Sequence, residues 1–309
     1  MTDNSQLATP ISSSQAWLDS LRPRTLPLAC ASIITGSALA WWQGSFHLPT
    51  ALMALLTTVL LQILSNLAND YGDALKGSDT PTRIGPLRGM QKGAITQQQM
   101  RVAIIAVVLL AMLSGFCLLT QSCRTLSDML GFLALGALAI IAAVAYTVGK
   151  KPYGYRGLGD ISVLIFFGWL GVTGSWYLQT HHLSLLPLLP ASGCGLMATA
   201  VLNANNMRDI DDDRRNGKFT LAVRLGPQMA RYYHVALLCA AIACFALFTL
   251  LNNPRPFGGL FLLAVPLIVQ QARYVLQHSD ALAMRPLLVK TVKTALLINV
   301  LFAVGLLLS

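Results

Sequence analysis

The sequence contains no glutamate and few charged residues of any kind. Only 11% of its 309 residues are Asp, Glu, Lys or Arg, against about 25% in an average soluble domain. The hydrophobic share is 55% and the mean hydropathy is +0.60. This composition excludes a water-soluble globule, and the hydrophobic share excludes a disordered chain.

The six cysteines also lack any Cys-x-x-Cys pair or short Cys/His spacing. Structural zinc sites need ligand pairs at such spacings. Most of these cysteines lie in apolar stretches, where a free thiol behaves as a small hydrophobic side chain. We therefore expect no zinc site of this type, and the cysteines indicate nothing about function.

Nine apolar segments are each long enough to cross a membrane as a helix, because the hydrocarbon core requires about 20 apolar residues. They cover, approximately, residues 26–42, 50–68, 102–120, 127–148, 160–179, 184–204, 230–251, 257–275 and 290–308. The middle of each segment has almost no Lys or Arg. The sequence thus predicts an all-α membrane protein with nine transmembrane helices, a single domain over residues 1–309 that begins with a polar tail at 1–20.

The positive charges predict the orientation of this bundle. If the N-terminus is cytoplasmic, 20 of the 22 Lys and Arg residues fall on cytoplasmic segments, and only Arg124 and Arg255 fall on the other side. Such a split is typical of the positive-inside rule. It explains the net charge of +10 without nucleic-acid binding. We expect a multi-pass protein of the bacterial inner membrane, with its C-terminus on the side opposite to the cytoplasm.

Seven of the twelve aspartates lie in two short segments, residues 66–93 and 203–221, that continue apolar segments into the cytoplasm. Residues three and four positions apart share a helix face. The first segment then presents one stripe: Asn66, Asn69, Asp70 and Asp73. The second presents another: Asn205, Asp209 and Asp213. The order of Asn before Asp is the same in both, which indicates equivalent helices in two halves of a pseudo-symmetric bundle.

Carboxylates on one helix face repel each other unless a cation lies between them. Oxygen ligands from Asp and Asn suit Mg²⁺, which often bridges protein carboxylates to substrate phosphates. The two stripes therefore favour a magnesium and diphosphate site over solvated loop charges. Basic residues flank both stripes and are candidates for direct phosphate contacts: Lys76, Arg83, Arg88, Lys92, Lys150, Lys151, Arg208 and Lys218.

Several motifs resemble those of the UbiA superfamily of membrane prenyltransferases, and the resemblance extends over nearly the whole chain. The motifs are Arg22-Pro-Arg-Thr-Leu-Pro27, Asn69-Asp-Tyr-Gly-Asp73, Gly85-Pro-Leu-Arg-Gly89, Pro152-Tyr-Gly-Tyr155, Gly157-Leu-Gly-Asp160, Asn205-Asn-Met-Arg-Asp209 and Gly217-Lys-Phe-Thr-Leu221. Within the superfamily, they are most similar to the branch that prenylates 1,4-dihydroxy-2-naphthoate in menaquinone synthesis.

The resemblance implies a helical bundle around a central cavity that is open to the cytoplasm and to lipid. It implies a Mg²⁺ site formed by Asn69, Asp70, Asp73, Asp209 and Asp213. Substrate-binding roles are implied for Arg22, Arg83, Arg88, Tyr146, Lys150, Asn205 and Lys218, and catalytic roles for Asp73, Asp209 and Lys150. The first motif departs from the superfamily pattern, because Gly77 replaces its usual third Asp and Asp79 follows two positions later.

The function that the resemblance implies is transfer of a long polyprenyl chain, octaprenyl in this branch, from its diphosphate to 1,4-dihydroxy-2-naphthoate with loss of CO₂. The product would be demethylmenaquinone, and the partners would be the two substrates and membrane lipid. Two alternatives remain: another aromatic acceptor such as 4-hydroxybenzoate, or a secondary transporter. Transporters place their acidic residues near the membrane midplane in broken helices, whereas these aspartates follow intact apolar segments. A scaffold role is a third, weaker alternative.

Overall fold

A computed structural model of the chain describes residues 12–23, 25–77 and 88–309. These residues form helices and turns without any strand. The helices are α1 (Ser13–Leu21), α2 (Leu26–Trp42), α3 (Leu48–Leu75), α4 (Gln97–Ser122), α5 (Leu126–Ala145), α6 (Gly159–Val163), α7 (Gly174–Thr180), α8 (Leu188–Arg208), α9 (Ile210–Arg215), α10 (Leu221–Asn252), α11 (Val265–Gln277) and α12 (Arg285–Leu307). A π-helical stretch, Leu164–Thr173, joins α6 to α7, and 3₁₀ turns cover Tyr153–Arg156 and Pro256–Ala264.

In the described part of the chain, nine long rods correspond to the nine predicted segments. The fifth predicted segment corresponds to one rod, Gly159–Thr180, which consists of α6, the π-helical stretch and α7. The sixth predicted segment corresponds to α8. Eight rods are long and apolar enough to cross a membrane. The all-α membrane class is therefore confirmed. The rod outside this group of eight is α8, whose asparagines and Arg208 lower its hydropathy.

Helix α8 lies at the centre of the bundle, where 15 of its 21 residues are buried. It packs against α2, α10, α12 and the π-helical stretch. The core there includes Met197 of α8, Phe245 of α10 and Phe302 of α12. Because protein rather than lipid surrounds α8, its polar residues find partners inside the bundle; the Asn203 side chain, for example, donates to the Ala230 carbonyl at 3.0 Å.

Two glycines allow the π-helical stretch to approach α8 closely. A Cβ atom on Gly195 would lie 2.9 Å from the Cα of Gly168, and one on Gly168 would lie 2.5 Å from the Ala191 carbonyl oxygen. On the other side of the stretch, the Ser32 hydroxyl of α2 donates to the Phe167 carbonyl at 2.5 Å. The fifth rod is thus held firmly between α2 and α8.

Helix α5 differs from α8, because it has no buried residue at all. It packs on α3 and α4 and forms an outer wall. The C-terminal ends of α3 and α8 lie at the same end of the bundle, which we call the aspartate end and define by Asp70, Asp73, Asp209 and Asp213. A large cavity opens below this end, between the outer wall and the central helices.

Candidate active site

The cavity has a volume of ≈ 1520 Å³ and extends deep into the bundle. Asp73 lines it at the aspartate end and Ala54 lines it towards the opposite end. Both residues belong to α3, and the stretch of helix between them is about 28 Å long at 1.5 Å per residue. The cavity therefore runs along most of one membrane-spanning helix.

Away from the aspartate end, the cavity is mainly apolar. Its walls come from α2, α3, α4, α5, the π-helical stretch, α8 and α12, and a cluster of buried side chains lines its far end. That cluster contains Ile33, Ala54, Leu118, Leu119 and Leu178. Such a lining suits a long hydrocarbon group, since burying apolar surface is favourable by about 25 cal/mol per Å².

The first pair of aspartates is buried and held by cations. Asp70 and Asp73 are only 1% and 3% exposed. Arg22 Nη2 donates to Asp70 Oδ1 at 2.5 Å, and Arg88 Nη1 donates to Asp73 Oδ2 at 2.7 Å. Arg88 Nε also lies 3.3 Å from Asp70 Oδ1. The Tyr155 hydroxyl also donates a hydrogen bond to Asp73, at 2.8 Å from Oδ1. These partners offset the cost of burying two carboxylates.

Local backbone geometry positions the two arginines. Arg22 follows α1 in the left-handed conformation, with φ 53° and ψ 59°, and the Asn66 side chain of α3 donates to the preceding carbonyl of Leu21 at 3.0 Å. Arg88 Nη1 donates also to the Asn69 carbonyl at 3.2 Å. Each arginine is therefore anchored to α3 through a backbone contact as well as through a carboxylate.

The second segment repeats this arrangement with different residues. Arg208 donates from Nε and Nη2 to the two carboxylate oxygens of Asp209, each at 2.6 Å, and from Nη2 to Asn205 Oδ1 at 2.9 Å. Lys218 Nζ lies 3.6 Å from Asp213 Oδ1. Arg208, Lys218 and Asn205 line the cavity. The carboxylates of Asp209 and Asp213 do not line the cavity themselves, and lie on the far side of Arg208 and Lys218 from it.

Tyr155 joins the two segments. Its hydroxyl bonds to Asp73 of the first segment, its ring lies 5.5 Å from Lys218 Nζ of the second, and its carbonyl accepts from the Phe219 amide at 2.9 Å. The short turn that contains Tyr155 ends at Gly157, whose φ of 76° favours glycine. The motif that contains Tyr155 contributed to the family resemblance, but the sequence indicated no role for this side chain.

Two further tyrosines form an aromatic wall beside the carboxylates. Tyr146 and Tyr153 both line the cavity, and their rings meet edge to face with centroids 5.3 Å apart. The Tyr153 hydroxyl donates to the Ala142 carbonyl and contacts Ser162 Oγ, both at 2.9 Å. Burial raises the pKa of Tyr153, so this phenol stays neutral and adds no negative charge to the site.

The structure brings most of the predicted site residues to one place. Those lining the cavity are Arg22, Asn69, Asp70, Asp73, Arg88, Tyr146, Asn205 and Lys218. Asp209 and Asp213 lie directly behind Arg208 and Lys218. Arg83 and Asp79 are outside the described residues, so the substrate-binding role of Arg83 stays a prediction.

Lys150 is the exception among the described residues. It is exposed and does not line the cavity. The spacing of four residues between Tyr146 and Lys150 would place both on one face of a continuous helix, but α5 ends at Ala145, and Gly149 turns the chain with φ 108°. The helical spacing that would align the two side chains does not continue this far. The catalytic role of Lys150 stays a prediction that this arrangement does not support.

The donor chemistry of the aspartate end fits a magnesium ion. Its side chains offer carboxylate and amide oxygens, the ligands that Mg²⁺ takes from proteins. Asp70 Oδ2 is buried and accepts no hydrogen bond from the described residues. Within the same residues, no three Asp, His or Cys side chains converge in the way that a metal site requires. Arg22, Arg88 and Arg208 currently neutralise the carboxylates, so these pairs would have to open for a metal to bind.

Comparison with known proteins gives consistent results. Residues 29–308 match the UbiA prenyltransferase family. The chain is 64% identical over 299 residues to the 1,4-dihydroxy-2-naphthoate octaprenyltransferase of Escherichia coli, covering 97% of each chain. It is 51% identical to the protein of the same name from Haemophilus influenzae, covering 95% of this chain and 96% of that one. A UbiA homologue from Archaeoglobus fulgidus, solved bound to DMAPP and Mg²⁺, has a similar fold, with a TM-score of 0.58, 16% identity, and coverage of 93% of this chain and 99% of that chain.

Proposed function

The chain belongs to the UbiA prenyltransferase family, and from this membership we propose that it transfers an octaprenyl group from its diphosphate to 1,4-dihydroxy-2-naphthoate. The carboxyl group of the acceptor is lost as CO₂, and the immediate product is the hydroquinone demethylmenaquinol, the reduced form of demethylmenaquinone, a precursor of menaquinone. One observation carries this proposal: a single cavity combines paired cations and carboxylates at one end with a long apolar interior. A prenyl diphosphate has the same division between a charged head and a hydrocarbon tail.

The diphosphate binds at the aspartate end in this proposal. Arg22, Arg88, Arg208 and Lys218 all line the cavity there, and arginine forms bidentate hydrogen bonds with phosphate oxygens. The prenyl tail lies along the apolar walls of α3, α4 and α5. Because the cavity follows α3 for about 28 Å, several isoprene units fit inside the bundle, and any remainder extends into lipid.

Asn69, Asp70 and Asp73, together with Asp209 and Asp213, are the residues that would hold Mg²⁺. When bound, Mg²⁺ supplies positive charge to the diphosphate and makes it a better leaving group. The arginines and the lysine then exchange partners: each cation that releases a carboxylate can contact the diphosphate instead. The ion pairs seen in the structure therefore keep the cations close to where the diphosphate binds, which limits the reorganisation needed.

The reaction breaks the bond between prenyl C1 and the diphosphate oxygen, and the diphosphate leaves with the electron pair. The fixed charges of Arg22, Arg88, Arg208 and Lys218 stabilise this departure. The electron-rich naphthoate ring then forms the new carbon–carbon bond to C1, and its carboxyl group leaves as CO₂. Apolar walls keep water from the allylic carbon, which water would otherwise capture.

We also propose that the aspartate end faces the cytoplasm of a bacterial inner membrane. The distribution of Lys and Arg supports this orientation, and nine membrane crossings place the C-terminus on the opposite side. Alkaline phosphatase fused after Ser309 should then be active in the periplasm, and green fluorescent protein at the same position should be dark. Fluorescence of the second fusion would contradict the orientation.

A competition assay tests the proposed reaction. Purified protein in liposomes receives an allylic polyprenyl diphosphate with equal amounts of 1,4-dihydroxy-2-naphthoate and 4-hydroxybenzoate, with and without Mg²⁺. We expect Mg²⁺-dependent prenylated naphthohydroquinone, which air oxidises to the quinone during work-up, and release of the labelled carboxyl carbon. Prenylated benzoate as the main product would overturn the acceptor but retain the chemistry. If neither product forms, the proposed function is wrong.

A further inference from the structure

Five cationic side chains among the described residues line the cavity, and four of them lie beside aspartates of the two aspartate segments. Arg22 and Arg88 contact Asp70 and Asp73, Arg208 contacts Asp209, and Lys218 lies beside Asp213. The fifth is Arg285, the first residue of α12. The sequence analysis gave it no role beyond its contribution to the positive charge of the cytoplasmic side.

Arg285 stands at the top of an apolar strip on α12. Leu288, Val289 and Val292 also line the cavity, and the spacing of three, four and seven residues from Arg285 places all four side chains on one helix face. The strip is about 10 Å long, or two helical turns. A flat bicyclic aromatic ring with a carboxylate at its edge has matching dimensions and a matching division of polarity.

The neighbouring helices complete a slot around this strip. Helix α12 packs against α2 and α8, which contribute Leu28 and Ala29 from one side and Val201 from the other to the same cavity lining. The helix that carries Asp70 and Asp73 is α3, which packs against α2, α4 and α5. The slot and the first aspartate pair therefore belong to different walls of one cavity.

We propose that Arg285 binds the carboxylate of the aromatic acceptor and that the acceptor ring lies against the apolar strip of α12. The inference rests on the proposed function, because it assigns a binding residue to the acceptor of that reaction. A guanidinium pairs with a carboxylate through two parallel hydrogen bonds, which fixes the plane of the bound acid as well as its position.

Electrostatics favour this wall for an anionic acceptor. The acceptor carboxylate would be repelled by the carboxylates of the aspartate segments and by the diphosphate, and like charges a few ångströms apart repel strongly where water is scarce. A cation on α12 attracts the acceptor to a separate wall while the ring still faces the shared cavity. Arg285 would thereby separate the acceptor subsite from the diphosphate subsite and select acceptors that carry a carboxylate.

The experiment compares two acceptors that differ only in the carboxylate: 1,4-dihydroxy-2-naphthoate and naphthalene-1,4-diol, both under anaerobic conditions. Arg285→Gln, Arg285→Lys and the wild type are assayed for the KM of each substrate and for equilibrium binding of each acceptor without prenyl diphosphate. The matched control is Arg273→Gln, because Arg273 is an exposed cation on the adjacent helix α11 that does not line the cavity.

We expect Arg285→Gln to raise the KM and the Kd for the naphthoate at least about tenfold, since a charge-assisted bidentate contact is lost. Binding of the diol and the KM for prenyl diphosphate should not change, Arg285→Lys should restore part of the affinity, and Arg273→Gln should match the wild type. Equal losses for both acceptors, or a raised KM for prenyl diphosphate instead, would overturn the inference. If wild-type protein does not prenylate the naphthoate, it is the proposed function that fails.

Discussion

At the scale of single residues, Tyr155 is the side chain that contacts both aspartate segments. Its hydroxyl bonds to Asp73, and its ring lies within 5.5 Å of the ammonium groups of Lys218 and, at 5.4 Å, of Lys76. It is only 9% exposed, so little water can reach Asp73 to replace the hydrogen bond from the Tyr155 hydroxyl. Removing the hydroxyl alone would leave the ring contacts in place and would test the link to Asp73 by itself.

Tyr155→Phe should lower the stability by about 2 kcal/mol, because a hydrogen bond to a buried carboxylate is lost, and it should reduce turnover as Asp73 loses its fixed orientation. Tyr177→Phe is the matched control, since the Tyr177 hydroxyl donates to Asp128 at 2.7 Å at the other end of the bundle. Thermal unfolding in detergent and initial rates provide both readouts. Turnover that falls equally in the two variants would argue against a specific role for Tyr155.

Arg88 makes a second prediction at this scale, because it occupies the carboxylates that we assign to Mg²⁺. Arg88→Gln should destabilise the metal-free protein by about 2–3 kcal/mol, as two buried carboxylates lose a charged partner. Added Mg²⁺ should then raise the unfolding temperature of the variant by more than that of the wild type, since among the described residues no arginine then competes for Asp73 and only Arg22 still pairs with Asp70. Thermal unfolding with and without Mg²⁺ measures this without any activity assay.

Lys92→Gln is the control for Arg88→Gln. Lys92 Nζ lies 3.8 Å from Asp19 Oδ2 in a partly exposed pair, and such pairs contribute at most about 1 kcal/mol. This variant should respond to Mg²⁺ as the wild type does. A smaller Mg²⁺ response of Arg88→Gln than of wild-type protein would mean that Arg88 supports the metal site rather than competing for it.

The sequence predicted these site residues to the extent that they lie on regular helix. The spacing of Asn69, Asp70 and Asp73 predicts their shared position on α3, because helix geometry is local. Tyr155 and Lys150 lie in the connection between α5 and α6, where turn geometry and tertiary contacts decide which side chain faces the cavity. The contacts of Tyr155 therefore could not be predicted from sequence, and the catalytic role of Lys150 stays a prediction.

At the scale of elements, the close approach of α8 to the π-helical stretch holds the wall behind the cavity. Gly195→Ala should destabilise the protein by about 1–3 kcal/mol, because its new methyl group would press against backbone atoms of Leu164 and Gly168 at 2.9 Å. Gly131→Ala in α5 is the matched control, as a Cβ atom there meets nothing within 4 Å. Thermal unfolding of both variants provides the test, and equal stability would contradict the packing described.

Element boundaries were predicted well where the hydrophobic run decides them and less well elsewhere. The predicted segment 230–251 corresponds to α10, but this helix begins at Leu221, where Thr220 accepts from the Val223 amide at 3.3 Å. Gly226, with φ 76°, and Pro227 then interrupt it before the membrane-spanning part. Hydropathy reports the apolar portion of such an element and not its polar beginning.

At the scale of the whole molecule, the two aspartate segments come from separate halves of the chain and meet at one end of one bundle. The family resemblance indicated by their motifs is confirmed by the match over residues 29–308. The partner exchange that we propose between carboxylates, cations and diphosphate could not be predicted from sequence, because it depends on which charges face each other across the cavity. Both halves are needed in this account, since each supplies cations for the diphosphate and carboxylates for Mg²⁺.

The most direct test of this claim compares Asp73→Asn and Asp209→Asn, which alter one half each. Asp128→Asn is the control, because the Asp128 carboxylate accepts a hydrogen bond from the Tyr177 hydroxyl at the opposite end of the bundle. With saturating Mg²⁺, prenyl diphosphate and 1,4-dihydroxy-2-naphthoate, each of the first two variants should lose about 10²–10³-fold in turnover, as expected when preorganised charge stabilisation is removed, while Asp128→Asn retains its activity. Wild-type turnover by a folded Asp209→Asn protein would show that the second half is not part of the site.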